Sequence, residues 1–241
     1  MISLPIPHPD GRISYHGLRA RALDVGQLVA DLTQGRVRAD ALAHLDPDLE
    51  ETARSRSTGW LPAFGQDSIA QRHLDRSAVS VDDLFLFFGW FREVERVQGR
   101  YRYRASSPDL HVLFGWLRVG QILRIGPDAI PDWLRDHPHA RRDCWPYNTI
   151  YVAKGSDGGG VFRAFDSRLT LTEPGMSRSV WQLPSDFIPG PRPALTYHGS
   201  LSRWTALEDR CRLQSVAKGQ EFVLDLTHYP GVHQWAEAMI R

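Results

Sequence analysis

Among side chains that can move a proton or hold an ion, His44-Leu45-Asp46-Pro47-Asp48 sets one histidine and two carboxylates on a short loop. A histidine two residues from an aspartate can supply an acid and a base, or two ligands of a metal, if the loop turns both into one pocket. Aspartate before proline favours an extended or turn conformation, so this loop is short and constrained. The competing reading is an Asp-Pro turn whose histidine caps a helix. His44 and Asp46 are the candidate catalytic pair, and neither a metal nor a cofactor is assigned. His137-Pro138-His139 has no third ligand at a recognisable spacing and reads as a surface loop.

Residues suited to holding a planar base come next. Gly89-Trp90-Phe91-Arg92 and Gly115-Trp116-Leu117-Arg118 each set an indole near a guanidinium and beside a residue with no side chain. Such a place can stack a base, which makes Trp90, Trp116, Arg92 and Arg118 candidate substrate contacts; the plainer alternative is two core tryptophans. Polar residues in Ser177-Arg178-Ser179 and Gly219-Gln220-Glu221-Phe222 add Arg178 and Gln220 as readers of a substrate's edge. Arg100, Arg102 and Arg104 alternate with Tyr101 and Tyr103, giving either a solvated outer face or a ladder of phosphate contacts. The zinc-protease, serine-hydrolase and kinase signatures are absent, and the loop 155–160 lacks both phosphate-binding glycine patterns.

The elements that must position these residues centre on an internal repeat. Residues 83–92 recur at 109–118, an offset of 26 with six of ten positions identical. Both copies are aromatic, leucine-rich and interrupted by glycine, so they read as two neighbouring strands, apolar on both faces. Arg100 to Arg104 returns from the first copy through a Gln98-Gly99 turn. Further strands are expected at 148–153, 161–165, 169–172, 180–183 and 220–226. Helices are expected at 24–34, at 66–76 with Ile69, His73 and Leu74 inside, at 127–136 and at the C-terminus around Val232, Trp235, Ala236, Met239 and Ile240. Two prolines confine residues 2–7 to an edge strand or an extended arm. Strand runs with helices at the edges indicate an α+β fold, a β-rich mixed sheet or small barrel with peripheral short helices, in a single domain over 1–241.

Composition narrows the class of partner. A net charge of +1 excludes a globally basic nucleic-acid clamp, and only two of the 29 basic residues, Lys154 and Lys218, are lysines. Cys144 and Cys211 stand apart, so neither a disulfide framework nor a zinc ribbon is indicated. With no leader or long apolar run, a cytoplasmic location with no membrane contact is the expectation.

Leu4-Pro5-Ile6-Pro7, His44 through Leu49, Asp83 through Phe91, Val112 through Leu117 with Val119, and Asn148 through Ala153 together resemble the nucleotide modification associated domain 3 family. These bacterial and phage proteins are linked by genomic setting to modified DNA bases, and the resemblance spans nearly the whole chain. It carries over no catalytic residues. Relatives begin with a further strand and a glycine-rich loop ahead of the segment matching Leu4 to Pro7. The resemblance implies a protein acting on a nucleobase or nucleotide alongside partner proteins of a modification or phage-defence system, while the net charge of +1 leaves only weak duplex DNA contact through the local arginine ladder. Two other functions stay open: a non-catalytic reader, since the repeat is loosely similar to PUA-like barrels that hold a flipped base, and a structural partner in a modification complex.

Overall fold

The computed structural model describes residues 1–9, 11–140, 146–216 and 221–241. Among them, short strands form several sheets, one curled into a half-barrel, with three short α-helices: the β-rich α+β architecture expected. Two compact units are present, the first made of residues 1–85, 92–108 and 115–163, the second of 86–91, 109–114 and 164–241.

In the first unit, the helix Val25–Leu32 starts where Asp24 accepts a hydrogen bond from the Gln27 N–H at 3.1 Å. Its face of Val25 and Val29 packs with Tyr15, Leu18, Ala20 and Ala43 into one apolar core. The Tyr15 hydroxyl donates to the Pro5 carbonyl at 2.7 Å and ties down the N-terminal arm. That arm is the edge strand its prolines require: Ile6–Pro7 lies antiparallel to Leu42–His44, with Ile6 opposite His44. A second core gathers Ala63, Leu123, Leu134, Ile150 and Val152. Its central strand, Thr149–Ala153, is buried along its whole length between Ala63–Gln66 on one side and Leu110–Arg124 on the other.

The two repeat strands, Leu84–Phe91 and Leu110–Arg124, are hydrogen-bonded neighbours, as the repeat indicates. Gly89 leaves space that the Phe114 ring approaches, 3.5 Å from where a Cβ would stand. Gly115 admits a backbone rather than an aromatic: the Gly160 carbonyl oxygen would lie 2.8 Å and Leu49 Cδ1 2.6 Å from a Cβ there. The hairpin of Val94–Val97 and Arg100–Tyr103 closes at Gln98-Gly99 in the expected register.

Several elements differ from the sequence expectation. In the helix Ser68–Arg76, Ile69 is 81% exposed and Gln71 is buried in its place. The burial is tolerable because the Gln71 amide donates to the Tyr151 hydroxyl and to Asp75, each at 2.9 Å. The helix expected at 127–136 is only a 3-10 turn, Asp132–Leu134; Pro131 lacks a donor and disfavours a helical Ile130. Strand 161–165 contracts to Gly159–Val161. Residues 167–169 form a 3-10 turn with the Asp166 carboxylate accepting from the Arg168 N–H, a local bond that competes with strand pairing. Residues 221–225 are not strand, and Asp225 caps the turn Leu226–His228. The second unit retains a sheet ordered Val180–Pro184, Arg210–Gln214, Trp204–Ala206, and the closing helix Pro230–Ile240. Cys211 is a buried thiol of this sheet; Cys144 lies outside the described residues.

The contrast between the two repeat glycines is measurable. The Gly160 carbonyl facing Gly115 is held by the pairing of Trp116 with Gly160, so Gly115→Ala is expected to destabilise by about 1–3 kcal/mol. Gly89→Ala meets only ring atoms, the nearest at 3.2 Å, and should cost less. Urea denaturation of both variants checks this, and equal losses would contradict it.

Candidate active site: an aspartate among three imidazoles

His44 ends its strand, and the chain turns at once: the Asp46 N–H donates to the His44 carbonyl at 3.0 Å, and the Asp46–Pro47 peptide is cis. Asp48 then bridges to Ala63 by reciprocal backbone hydrogen bonds of 2.9 Å, laying the segment beside the strand Ala63–Gln66. Behind the turn, Arg56 holds Asp48 through two hydrogen bonds of 2.6 Å, with both side chains buried. A bidentate pair of this kind fixes orientation as well as charge. The turn therefore presents Asp46 inward from a braced backbone.

Asp46 is the centre of the cluster. Its Oδ1 accepts the Gly65 N–H at 2.9 Å and faces His137 Nε2 at 3.5 Å. Its Oδ2 faces His139 Nε2 at 3.3 Å and His44 Nε2 at 3.7 Å. The side chains of Asp46, His137 and His139 are 6%, 2% and 5% exposed, and His44 is the most open at 15%. The His8 ring lies 5.4 Å from that of His44, centroid to centroid. Burial pushes the Asp46 carboxyl up, but hydrogen bonding and charge from His137, His139 and His44 outweigh it and hold the group well below the ordinary carboxylate range. For His139, burial opposes the charged form, yet Asp46 above all, with Asn148 and Asp67, raises its pKa. An ionised carboxylate against a basic imidazole is an acid–base pair ready for proton transfer.

The tautomers follow from the surrounding bonds. Asn148 Nδ2 donates to the His139 carbonyl at 2.8 Å, which orients its amide so that Oδ1, at 2.8 Å, accepts from His139 Nδ1–H. His139 Nε2 is thereby the atom turned on Asp46. The His139 backbone N–H donates to His137 Nδ1 at 3.2 Å, so the neutral His137 carries its proton on Nε2 and aims it at Asp46 Oδ1. At 3.5 Å that approach is at the outer limit of a hydrogen bond. Gly65 is obligatory here, because a Cβ would stand 2.3 Å from the His139 ring.

His137 and His139 correct the sequence expectation of a surface loop, being 3% and 4% exposed. The group they meet is Asp46, some ninety residues earlier in the chain and beyond the reach of any spacing rule. The signal in the sequence was a pair of proline-braced turns, His44-x-Asp46-Pro47 and His137-Pro138-His139, each carrying ionisable groups two residues apart. Nor does His44 cap a helix; it ends a strand. Gly65, Asn148 and Asp67 gave no sequence signal of a role.

A family model, nucleotide modification associated domain 3, matches residues 1–225. The chain belongs to the nucleotide modification associated domain 3 family. It matches no curated protein and no solved structure. All four residues of the imidazole–aspartate cluster fall inside the matched span, which ends ahead of the closing helix Pro230–Ile240.

Elsewhere in this nucleotide modification associated domain, the expected base-contacting residues have separate surroundings. Trp90, in the second unit, is 64% exposed, and its guanidinium partner is Arg178, 4.1 Å above the ring, rather than Arg92. Arg92 donates to the Arg104 carbonyl at 3.3 Å and lies over Tyr103. Trp116 is partly buried opposite Gly160, and Arg118 donates to the Asp82 carbonyl at 3.1 Å. Of the arginine ladder, Arg102 pairs with Glu95 at 2.8 Å and Arg104 with Glu93 at 2.9 Å, while Arg100 is exposed at the turn. Beneath the ladder Tyr101 is partly buried, whereas Tyr103 is 44% exposed. Gln220 lies outside the described residues. No helix among the described residues is long and apolar enough to cross a membrane.

The second unit also contains a histidine held neutral. His111 Nδ1 accepts from Trp181 Nε1–H at 2.9 Å, and burial, reinforced by the charge of Arg178, lowers the imidazole to about 4. A folded-state pKa below the unfolded value near 6.5 means that the unfolded chain binds the proton first. Stability is therefore full above about pH 6.5 and declines as the pH falls toward 4. His111→Asn keeps an acceptor for Trp181 and removes the titration, so its melting temperature should fall less than that of the wild type across this window. Parallel declines would remove His111 as the cause.

Proposed function

We propose that this domain modifies a nucleobase or nucleotide, with Asp46, His44 and His139 as its reacting centre. The observation that carries this reading is the convergence of three imidazoles on one buried, ionised carboxylate inside a nucleotide modification associated domain. Burying a charge is costly, and a fold that needed only packing would place apolar side chains there. Asp46 with His139 serves as the proton-transferring pair, His44 meets the substrate from the more open side, and His137 with Gly65 holds Oδ1 in place. Strongly perturbed carboxylates in such settings are concentrated at functional sites.

A second reading, the non-catalytic base reader, is favoured by Trp90, whose exposed indole lies beneath Arg178 as a stacking platform would. Contact with duplex DNA through Arg100, Arg102 and Arg104 is weak in either reading, since two of these arginines are already paired with glutamates. Cytoplasmic location and partner proteins of a modification system belong to the same proposal.

Turnover separates the readings. Free nucleotides, modified nucleosides and short single- and double-stranded DNA are incubated with the protein, and product masses are recorded. The enzyme reading expects a mass change that Asp46→Asn lowers about 100- to 10,000-fold, with nucleotide affinity largely kept. The reader reading expects Trp90→Ala to weaken nucleotide binding by about 1–3 kcal/mol. Binding without any mass change, lost in Trp90→Ala and intact in Asp46→Asn, would establish the reader and overturn the enzyme.

A further inference from the structure

We infer that His44 Nε2, His139 Nε2 and Asp46 Oδ2 form a binding site for one divalent first-row transition-metal ion. The inference rests on the reading above only for the chemistry the ion would serve, and with the ion bound His44, His139 and Asp46 Oδ2 hold it in place of the proton transfer and substrate contact given them there. The three ligand atoms lie within 4.8 Å of one another. The two edges that meet at Oδ2, 3.3 Å to His139 and 3.7 Å to His44, approach the separation of about 3.4 Å between ligands bound tetrahedrally at about 2.1 Å from a metal.

The roles of the two carboxylate oxygens support the same assignment. Oδ1 is surrounded by donors, the Gly65 N–H and the proton-bearing Nε2 of His137. Oδ2 is turned instead toward two imidazole nitrogens. Because His139 Nδ1–H is taken up by Asn148, the nitrogen that faces Oδ2 is Nε2, the atom that offers a lone pair to a cation once its proton is released. His137 Nε2–H, 3.5 Å from Oδ1, turns its positive end on that oxygen and leaves Oδ2 as the oxygen that faces the two other imidazoles. A ligating histidine whose other nitrogen is bonded to an oriented amide is the usual outer support of a metal site.

Two imidazoles and one carboxylate, with no thiolate, suit zinc, iron, cobalt or nickel better than magnesium or calcium, which prefer oxygen alone. Three protein ligands leave coordination positions open, as catalytic metal sites do and structural zinc sites do not. An ion held there supplies a Lewis acid with a free position for a substrate heteroatom. His44, the most exposed of the three, lies on the open side of the site.

The test uses the full chain without nucleotide, so its failure leaves the nucleotide reading to be decided by turnover alone. Chelator-treated protein is titrated with Zn²⁺ and with Co²⁺, following heat and the visible bands of Co²⁺, and bound metal is counted by mass spectrometry. One ion per chain is expected. Asn148→Ala should lower affinity about 10- to 100-fold, and His139→Gln and Asp46→Asn by more. His233→Ala, which alters an exposed histidine beside Glu237, should change nothing. Near-UV circular dichroism separates lost ligation from lost folding. If a variant does not fold, the wild-type protein still decides by X-ray absorption, with two imidazoles expected around the ion. Absence of binding by the wild type, affinity unchanged in folded Asp46→Asn or His139→Gln, an equal loss in His233→Ala, or coordination lacking imidazole would each overturn the inference.

Discussion

A carboxylate taken out of water stays ionised only when nearby protons and positive charge replace its hydration, and Asp46 obtains this from three imidazoles and the Gly65 backbone N–H. Much of the first unit is arranged to deliver those groups. His44 arrives at the end of a strand, Gly65 from the strand beside the Asp48 bridge, and His137 and His139 from a turn packed against that strand. Removing a single member leaves the others near an incompletely compensated charge, which makes the cluster interdependent rather than additive.

The support extends outward in a second ring. Asn148 sits immediately before the strand Thr149–Ala153, buried along its whole length, so that strand sets the amide that orients His139. Arg56 braces the turn through Asp48 and itself lies over Trp60, its guanidinium carbon 4.2 Å from the ring centre. Two apolar cores flank these polar contacts in sequence: Leu45 packs against the core around Tyr15, and Ala63 belongs to the core around Ile150. Neighbours fixed in this way let a reacting geometry persist without substrate.

The parts of the fold governed by local rules were legible in the sequence. The neighbouring repeat strands, the Gln98-Gly99 hairpin, the proline-confined edge strand and the strand Thr149–Ala153, expected at 148–153, followed from pattern and turn chemistry. Elements failed where a side chain or proline offered the backbone a local alternative, as at Pro131, Asp166 and Asp225. Half of the candidate site was legible because His44 and Asp46 share one turn. The other half was not, since the meeting of Asp46 with His137 and His139 is made by tertiary packing. Gln71 replacing Ile69 in the interior has the same origin: its partner, Tyr151, is eighty residues away.

On the function proposed above, this buried cluster is where the domain meets its nucleotide. Nitrogen-15 NMR of selectively labelled histidines reads it most directly, because each imidazole reports its own tautomer and neighbours while nucleotides, nucleosides and bases are titrated in. A ligand of this class should shift the ring signals of His44, His137 and His139 together and leave exposed His233 unmoved. Saturable nucleotide binding that leaves all three signals in place would contradict the account.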